Sequence, residues 1–427
     1  MDRWGAFMSA STMPWWKEPT KGQWASFSAA WLGWVMDAFD FTVFLLVMKQ
    51  ITEEFGVTYT STAGTIALTL LMRLVGGVVA GWAADRGGRK LPLMISVIWF
   101  AVCDGLIAVA PSFTWVLVLR TLFGFGMGAE WTSGATLAME NWPQRSRGIA
   151  SGILQGSWAI GYLLAGVAAG LVEPVYGWRA LFIIAAIPAV LALPIRFLVP
   201  ESPEWEANRA KENAGAVAVS WKEILAMPGV LKRLAWGSVA MAAGFGGYYA
   251  LTGNYSVLLL KNLGQSMQGV SWHVALFNVG MLSGAIACGY VAMKKGVILA
   301  VAVPALLMVV VTPLYVGASP ELLAVGAYLA GVFGAGYSGV TPLLLTSLFP
   351  ARFRARCVGI VYHVGAVPAA FVPMGIAYLA ESGVASLPIG MGLVCAGCQL
   401  AMAAMIVFAP KDGGATDPAA TEAALAR

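Results

Sequence analysis

The sequence is short of the residues from which most catalytic sites are built. Its 427 residues include two histidines and five cysteines, and 11% are Asp, Glu, Lys or Arg. Soluble domains carry about 25% charged residues, so a water-soluble enzyme is excluded at the outset. No G-x-x-x-x-G-K-[ST] loop is available to cradle ATP phosphates. There is no H-E-x-x-H to hold zinc, and no serine elbow follows a plausible strand. With Asp2 as the second residue and Arg427 as the last, no lipidation signal is expected at either end. Cys103, Cys288, Cys357, Cys395 and Cys398 fall in apolar runs; the single C-x-x-C lacks a second ligand pair and reads as packing. Disorder is excluded because 59% of the chain is hydrophobic.

What is present is apolar sequence in long stretches. Twelve runs stand out, at 24–48, 60–84, 91–110, 114–140, 148–171, 179–199, 233–260, 270–293, 297–317, 321–348, 355–380 and 385–409. Each is long enough to cross a bilayer as a helix, which needs about 20 residues. Helices are required there because lipid offers backbone groups no partner. The 50 glycines fit close helix packing in such a setting. Placed between these runs, the 26 lysines and arginines fall overwhelmingly on one side. Only Lys49, Arg179 and Lys261 lie opposite, and Arg73 and Arg120 lie inside runs. This bias predicts a multi-pass protein of the inner (plasma) membrane with both termini cytoplasmic. Because the basic residues set topology, nucleic acid is not an expected partner.

The one long polar interval, 200–232, holds Pro200, Pro203 and Pro228 and divides the runs six and six. The expected organisation is therefore a first bundle over 1–199, a cytoplasmic linker over 200–232 and a second bundle over 233–427. At an offset of about 207, Pro143 meets Pro350 and Gly124 meets Gly331, while Glu130 meets Tyr337 and Gln155 meets Tyr362. Two repeated six-helix halves with a site between them form a transporter architecture.

A charge at mid-bilayer costs about 2.5–3.5 kcal/mol on insertion scales, so the few such residues are functional or paired. Arg73 sits near the middle of the second run, where a guanidinium can take a carboxylate through two parallel hydrogen bonds. The alternative is an ion pair with an acid of the first or fourth run. Asp37 and Asp40 share one helix face, and two close carboxyls in low dielectric favour retention of a proton. Glu130 is a second candidate proton site, or the partner of Arg73. His363 is a candidate proton relay or a packing histidine, and His273 is expected to be solvated. Gln155 and Tyr362, matched by the repeat, are candidate hydrogen-bond donors to substrate, as are Tyr337, Tyr249 and Asn254. Arg120 is expected to snorkel towards the outer face in a packing or gating role, with Asp104 as its ion pair. Glu140 is expected to join Asp85 and Arg89 in a charge clamp at the cytoplasmic face.

Residues 81–90 read Gly81-Trp-Ala-Ala-Asp85-Arg86-Gly87-Gly88-Arg89-Lys90. Every position matches G-x-x-x-D-R-x-G-R-[RK], and the loop resembles the signature of the major facilitator superfamily. Arg120-x-x-x-Gly124-x-Gly126-x-Gly128 resembles the same superfamily's fourth-helix motif, and Pro200-Glu-Ser-Pro-Glu-Trp205 the P-E-S-P-x-W that follows its sixth helix. With Asp37-x-x-Asp40, Arg73 and Glu130, the set is similar to the sialate:proton symporters, which include lactate and pyruvate permeases. The aromatic acid:proton symporters come next. The resemblance implies an all-α fold of twelve transmembrane helices in two pseudo-symmetric six-helix bundles, monomeric and driven by the proton gradient without a cofactor. It implies symport of a small carboxylate, such as lactate or pyruvate, with a proton. Gly81, Asp85, Arg86, Gly88 and Arg89 would take gating roles. Bacterial sialate members carry two extra helices between the halves, and 200–232 holds no such run, which directs the expectation away from sialate. A neutral-sugar porter, a drug transporter and a transport-inactive sensor are the rival expectations.

Overall fold

The computed structural model describes residues 13–187, 198–213, 219–317 and 320–409, which are helical with no strand among them. Arg3, Arg196, Lys411 and Arg427, all placed on the basic face by the sequence, lie outside the described residues, as does 188–197 of the sixth run. Helices occupy all twelve apolar runs. The first five spans are Lys21–Phe55, Tyr59–Gly87, Lys90–Ala108, Phe113–Asn141 and Arg147–Tyr176. The sixth begins as Trp178–Ala186. The seventh, eighth and ninth are Val230–Thr252, Met267–Lys295 and Val297–Gly317. The tenth starts as Pro320–Ala330, loosens through a π turn at Gly331–Ala335 and tightens to a 3-10 turn at Gly336–Val340, then resumes as Thr341–Ser347. The eleventh is Arg354–Ala369 followed by Val372–Glu381, and the twelfth is Leu387–Val407. Among the described residues, nine helices are long and apolar enough to cross a membrane by length and composition alone.

Local chemistry sets the ends. Thr20 accepts from the backbone of Gln23, whose side chain returns to the backbone of Thr20, so the first helix starts at Lys21. It stops at Gly56, whose φ of 61° is the left-handed cap that glycine supplies. The helix therefore outruns the apolar run 24–48 at both ends, because caps rather than hydropathy decide where it begins and finishes. Gly88 and Gly296, after the second and eighth spans, take nearly the same backbone conformation, with φ of 95° and 91°.

The packing carries the same repetition. The first span packs on the fifth, the second on the fourth and the third on the sixth. In the second half the seventh packs on the eleventh, the eighth on the tenth and the ninth on the twelfth. Glycine makes the closest of these contacts. A Cβ on Gly124 would sit 2.1 Å from the carbonyl oxygen of Thr69, and one on Gly128 would sit 1.9 Å from that of Arg73. In the other half a Cβ on Gly331 would meet the carbonyl oxygen of Phe277 at 2.0 Å. The halves meet along two further glycine seams. Gly148 and Gly152 of the fifth span lie against Gly289 and Ala285 of the eighth, and Gly77 and Gly81 of the second lie against Gly359 and Ala355 of the eleventh. Between the halves, the short helix Pro203–Asn213 touches the fourth span and Trp221–Ala226 touches the seventh.

Because Gly128 bears on backbone, Gly128→Ala must push the second and fourth spans apart, an overpacking cost of about 1–3 kcal/mol. It is expected to lower the thermal unfolding midpoint in detergent. Gly166→Ala, with no atom within 4 Å of the new Cβ, is expected to leave the midpoint unchanged or raise it. Equal midpoints for the two variants would contradict this packing.

Candidate functional site

A cavity with about 630 Å³ of space not filled by atoms, part of it continuous with solvent, lies between the two halves. The first half contributes Trp34, Arg73, Gln155 and Trp158 to its wall. The second contributes Phe245, Tyr248 and Tyr249 from the seventh span, Tyr337, Ser338 and Thr341 from the irregular part of the tenth, and Tyr362 from the eleventh. Arg73 is the one charged side chain in this lining among the described residues. Its guanidinium lies 5.4 Å from the ring centres of both Trp34 and Tyr362. Its Nε and Nη2 are buried without a hydrogen-bond partner among the described residues. The same holds for three other polar atoms of the wall, Trp34 Nε1, Gln155 Oε1 and Ser338 Oγ. The Tyr362 hydroxyl lies beside the side chains of Gln155 and Arg73. Its ring stacks on Trp131 of the fourth span at 3.4 Å and so ties the halves together.

Behind Arg73 the first half buries a set of acids. Asp37, Asp40, Asp104 and Glu130 are each at most 1% exposed. The Glu130 carboxylate rests on Gly33, where a Cβ would come within 2.5 Å of Oε1, one helical turn before Asp37. The charges that reach Asp37 are those of Arg73, Arg120 and Asp104, and Asp40 lies against Asp104. Arg120 pairs with Asp104 at 3.6 Å, as the sequence suggests. It does not snorkel: the side chain is 1% exposed and lies 4.6 and 4.1 Å from the ring centres of Phe44 and Phe123. Cation–π contact and the Asp104 pair hold the charge inside, where the sequence reading had it reaching out.

At the end of the molecule that carries the 81–90 loop, a second charge cluster joins the halves. Arg89 donates from Nε to Glu140 at 2.9 Å, and Arg354 of the eleventh span donates to the same carboxylate at 2.9 Å. Asp85 accepts from Arg356 through the backbone N–H at 3.0 Å and Nε at 2.9 Å. The 200–205 segment locks onto this cluster. Glu201 accepts from the backbone N–H groups of Arg89 and Lys90, which the missing side chain of Gly88 makes possible. Ser202 donates to Glu140, and Trp205 Nε1 donates to the carbonyl of Asp85 at 2.9 Å. Glu204 accepts from both Arg147 and Arg354. The clamp of Glu140, Asp85 and Arg89 is present as expected, but Arg354, Arg356 and the 201–205 segment complete it. Arg86 stands outside it, exposed over the Trp82 ring.

Three other placements differ from the sequence reading. Asn254 is absent from the cavity lining; its Nδ2 donates to the carbonyl of Pro373 at 2.9 Å and fastens the break after the seventh span to that within the eleventh. Tyr337 lines the cavity, but its hydroxyl is committed to the carbonyl of Gly244 at 2.9 Å, so it presents a ring. His273 is buried with Nδ1 against the carbonyl of Gly269, not solvated. His363 lies just off the cavity between the halves, with Nε2 3.3 Å from the Thr132 hydroxyl and its ring against Gly77. The sequence reading missed Ser338, Trp34, Trp158 and Phe245 in the wall. Ser338 had a signal: it occupies the glycine-rich stretch 331–339, where the tenth helix cannot stay regular.

Membrane-length helices in two repeated halves, a largely aromatic cavity between them and a charge cluster closing one end form a transporter architecture. The chain belongs to the Major Facilitator Superfamily, a family of transporters and not of enzymes; its family model matches residues 30–259, and a model for sugar and other transporters matches 206–411. A cis,cis-muconate transport protein of Acinetobacter baylyi is 30% identical over 379 residues, 87% of this chain and 90% of that protein. A sialic acid transporter of Escherichia coli is 28% identical over 385 residues, 89% of this chain and 92% of that protein. So short a sialate carrier has no room for two further helices, and the lack of an apolar run in 200–232 does not set this chain apart from sialate transporters. A solved proton:xylose symporter shares the fold, with a TM-score of 0.74 at 18% identity over 91% of this chain and 95% of that one.

Glu140 accepts from arginines of both halves, so Glu140→Gln is expected to loosen this end. Spin labels on Arg86→Cys and Lys295→Cys, exposed positions of the two halves, report the separation. Their distance distribution is expected to gain a longer component in the Glu140→Gln background, since breaking a buried ion pair costs about 3–5 kcal/mol. An unaltered distribution would remove Glu140 from the clamp's energetics.

Proposed function

We propose that the protein is a symporter that brings a small organic anion into the cell together with protons, by alternating access. The observation that carries this reading is Arg73: a guanidinium in the cavity wall with two buried N–H-bearing nitrogens unpaired among the described residues. Paired guanidinium donors fit a carboxylate, and a fixed cation repels a cationic drug. The muconate and sialic acid carriers named above both move organic acids, which supports the same class of cargo. Lactate and pyruvate remain the simplest members of that class.

The proton side rests on charge balance. Four carboxyls, on Asp37, Asp40, Asp104 and Glu130, are buried with two guanidiniums, on Arg73 and Arg120. A low-dielectric core penalises net charge heavily, so protons make up the deficit. A substrate carboxylate arriving at Arg73 adds another negative charge and draws a further proton to the acids nearest it, Asp37 and Glu130. Asp40 and, through the half-to-half contact, His363 complete the set of candidate coupling groups. The bundles over 1–199 and 233–427 rock about the cavity as a monomer, and the 201–205 part of the 200–232 linker rides on the clamp. The positive-inside bias supports a cytoplasmic position for that clamp and for both termini, in the inner membrane.

The test is uptake in proteoliposomes of labelled lactate, pyruvate, muconate, sialate and benzoate, with and without an inward proton gradient. Gradient-driven uptake of an acid is expected, lost in Arg73→Ala and uncoupled from the gradient in Asp37→Asn or Glu130→Gln. Uptake of no acid, or uptake indifferent to Arg73→Ala, would end this reading.

A further inference from the structure

One hydroxyl of the first half ends inside the backbone of the second. A serine within a helix commonly bonds back to a carbonyl of its own preceding turn, as Ser157 of the fifth span does to Leu154. Ser151, in the same helix and fully buried, reaches across to the tenth span instead. Its hydroxyl donates to the carbonyl of Gly339 at 2.6 Å and accepts from the backbone N–H of Leu343 at 3.1 Å. Those two groups are four residues apart, the spacing at which they would bond each other in a continuous α-helix. The tenth span is not continuous there: its 3-10 turn ends at Val340 and the α-helix restarts at Thr341. Ser151 thus stands in the place of a backbone hydrogen bond, and a side chain inserted in that way bends a helix.

Two features put the hydroxyl there. Glycines on either side of it bring the fifth span onto the eighth: a Cβ on Gly148 would lie 2.7 Å from the carbonyl oxygen of Gly289, and one on Gly152 would lie 2.3 Å from that of Ala285. Gly339 rests on the same Ala285 carbonyl, where a Cβ would come within 2.4 Å, so three segments meet at one point. Pro342, for its part, has no N–H to give the carbonyl of Ser338. The Gly339–Leu343 pair is therefore what would carry the helix past this point. Glycine content alone does not break a span. The fourth, which the repeat makes the counterpart of the tenth, holds Gly124, Gly126, Gly128 and Gly134 and is one helix, Phe113–Asn141. At the repeat offset of about 207 it has Ala135 in place of Pro342, and the eleventh span has Val358 in place of Ser151.

We propose that Ser151 is a positioning residue that ties the shape of the cavity wall to closure of the clamp. It stands one turn from Arg147, at the clamp end of the seam between the halves. When the halves part there, the hydroxyl withdraws, and the Gly339 carbonyl and Leu343 N–H lose their partner. They then close on each other, and the α-helix extends back from Thr341 into the 3-10 turn. A 3-10 turn advances about 20° more per residue than an α-helix and rises about 0.5 Å more. Tyr337, Ser338 and Thr341 lie on or beside that turn and line the cavity, so the change re-aims three residues of the wall as the clamp end opens. The proposal rests on the parting of the halves in alternating access and is independent of Arg73 and of the proton.

Spin labels on Val325→Cys and Ser347→Cys, exposed positions on either side of the break, test it in the full chain in detergent. Rigid rocking of the halves leaves this separation constant, because both labels sit on the tenth span. Relaxation of the five 3-10 residues to α geometry changes the length of the span by about 2.5 Å. Ser151→Ala is expected to shift the mean separation by about that amount. Ser151→Thr, which keeps the hydroxyl, and Ser157→Ala, which removes one that bonds within its own helix, are expected to keep the original distribution. An unshifted distribution in Ser151→Ala overturns the proposal, as does an equal shift in Ser157→Ala. A second measurement leaves Ser151 intact: in Glu140→Gln the tenth-span pair is expected to gain a new component in the same proportion as the Arg86–Lys295 pair gains its longer one. Parting of Arg86 and Lys295 with no change in the tenth span overturns the role of Ser151 alone and leaves alternating access standing. A tenth-span shift in Ser151→Ala with no parting in Glu140→Gln counts against the opening of the clamp instead.

Discussion

Charge cannot be left alone inside this molecule, and the structure is arranged around that constraint. With most of the surface apolar, an isolated ion in the interior has neither water nor headgroup to turn to. Two solutions are visible. At the loop end, Glu140 and Asp85 are each bound by arginines, and the carboxylate of Glu204 takes one arginine from each half. In the interior, Arg120 is paired with Asp104 and sheathed by two phenylalanines. Arg73 departs from both patterns. Aromatic rings flank it and acids lie near it, yet no ion pair consumes its donors among the described residues. A cation kept in a cavity under those conditions is poised to accept an anion from outside the protein.

The pseudo-symmetry makes the clamp easier to understand. Arg147 and Arg354 stand at the repeat offset of 207, and each uses Nε to bind the carbonyl of an equally related residue, Trp142 at 2.9 Å and Phe349 at 3.0 Å. Both then reach Glu204. One acid thus bridges a two-fold pair of bases, so the interaction exists only while the two halves are together at this end. The glycine seams obey the same relation, since exchange of the halves carries the contact of spans five and eight onto that of spans eleven and two. A duplicated helical unit with close-packing glycines at equivalent positions yields both the interface and the means of releasing it.

Much of this was legible in residues whose chemistry is local. Asp85, Arg89 and Gly88 lie within one short loop, and the twelve apolar runs need only hydropathy. Glu140 could be assigned to the clamp because it ends a helix beside Pro143 and a basic turn. What stayed hidden depended on the contact of distant segments. Arg354 and Arg356 look like ordinary topological charges until the eleventh span is laid on the second. Asn254 has the right chemistry and depth for a substrate ligand, but the break in the eleventh helix at Pro373 claims it. Tyr337 loses its hydroxyl to the carbonyl of Gly244 in the same way. Ser338 is unremarkable as a residue type and matters only because the tenth helix leaves α geometry where it turns that hydroxyl inward.

One stripe of the second span links cavity and clamp. Arg73, Gly77, Gly81 and Asp85 recur every four residues and so share a face. Arg73 enters the cavity, Gly77 receives the ring of His363, Gly81 lies on the backbone of Ala355, and Asp85 takes Arg356. The facing residues, Tyr362, His363, Gly359 and Arg356, run back along the eleventh span. Both helices are regular over these stretches, so neither stripe can bend to absorb a local shift. A change in the charge or position of Arg73 therefore bears on the same helix pair that the Asp85–Arg356 contact holds closed. Two glycines with no side chain to interlock separate those points, which lets the pair part along its length once the terminal contacts yield. Arg73, the proposed receptor of the cargo, and the clamp are ends of a single interface, and its opening cannot be local to either.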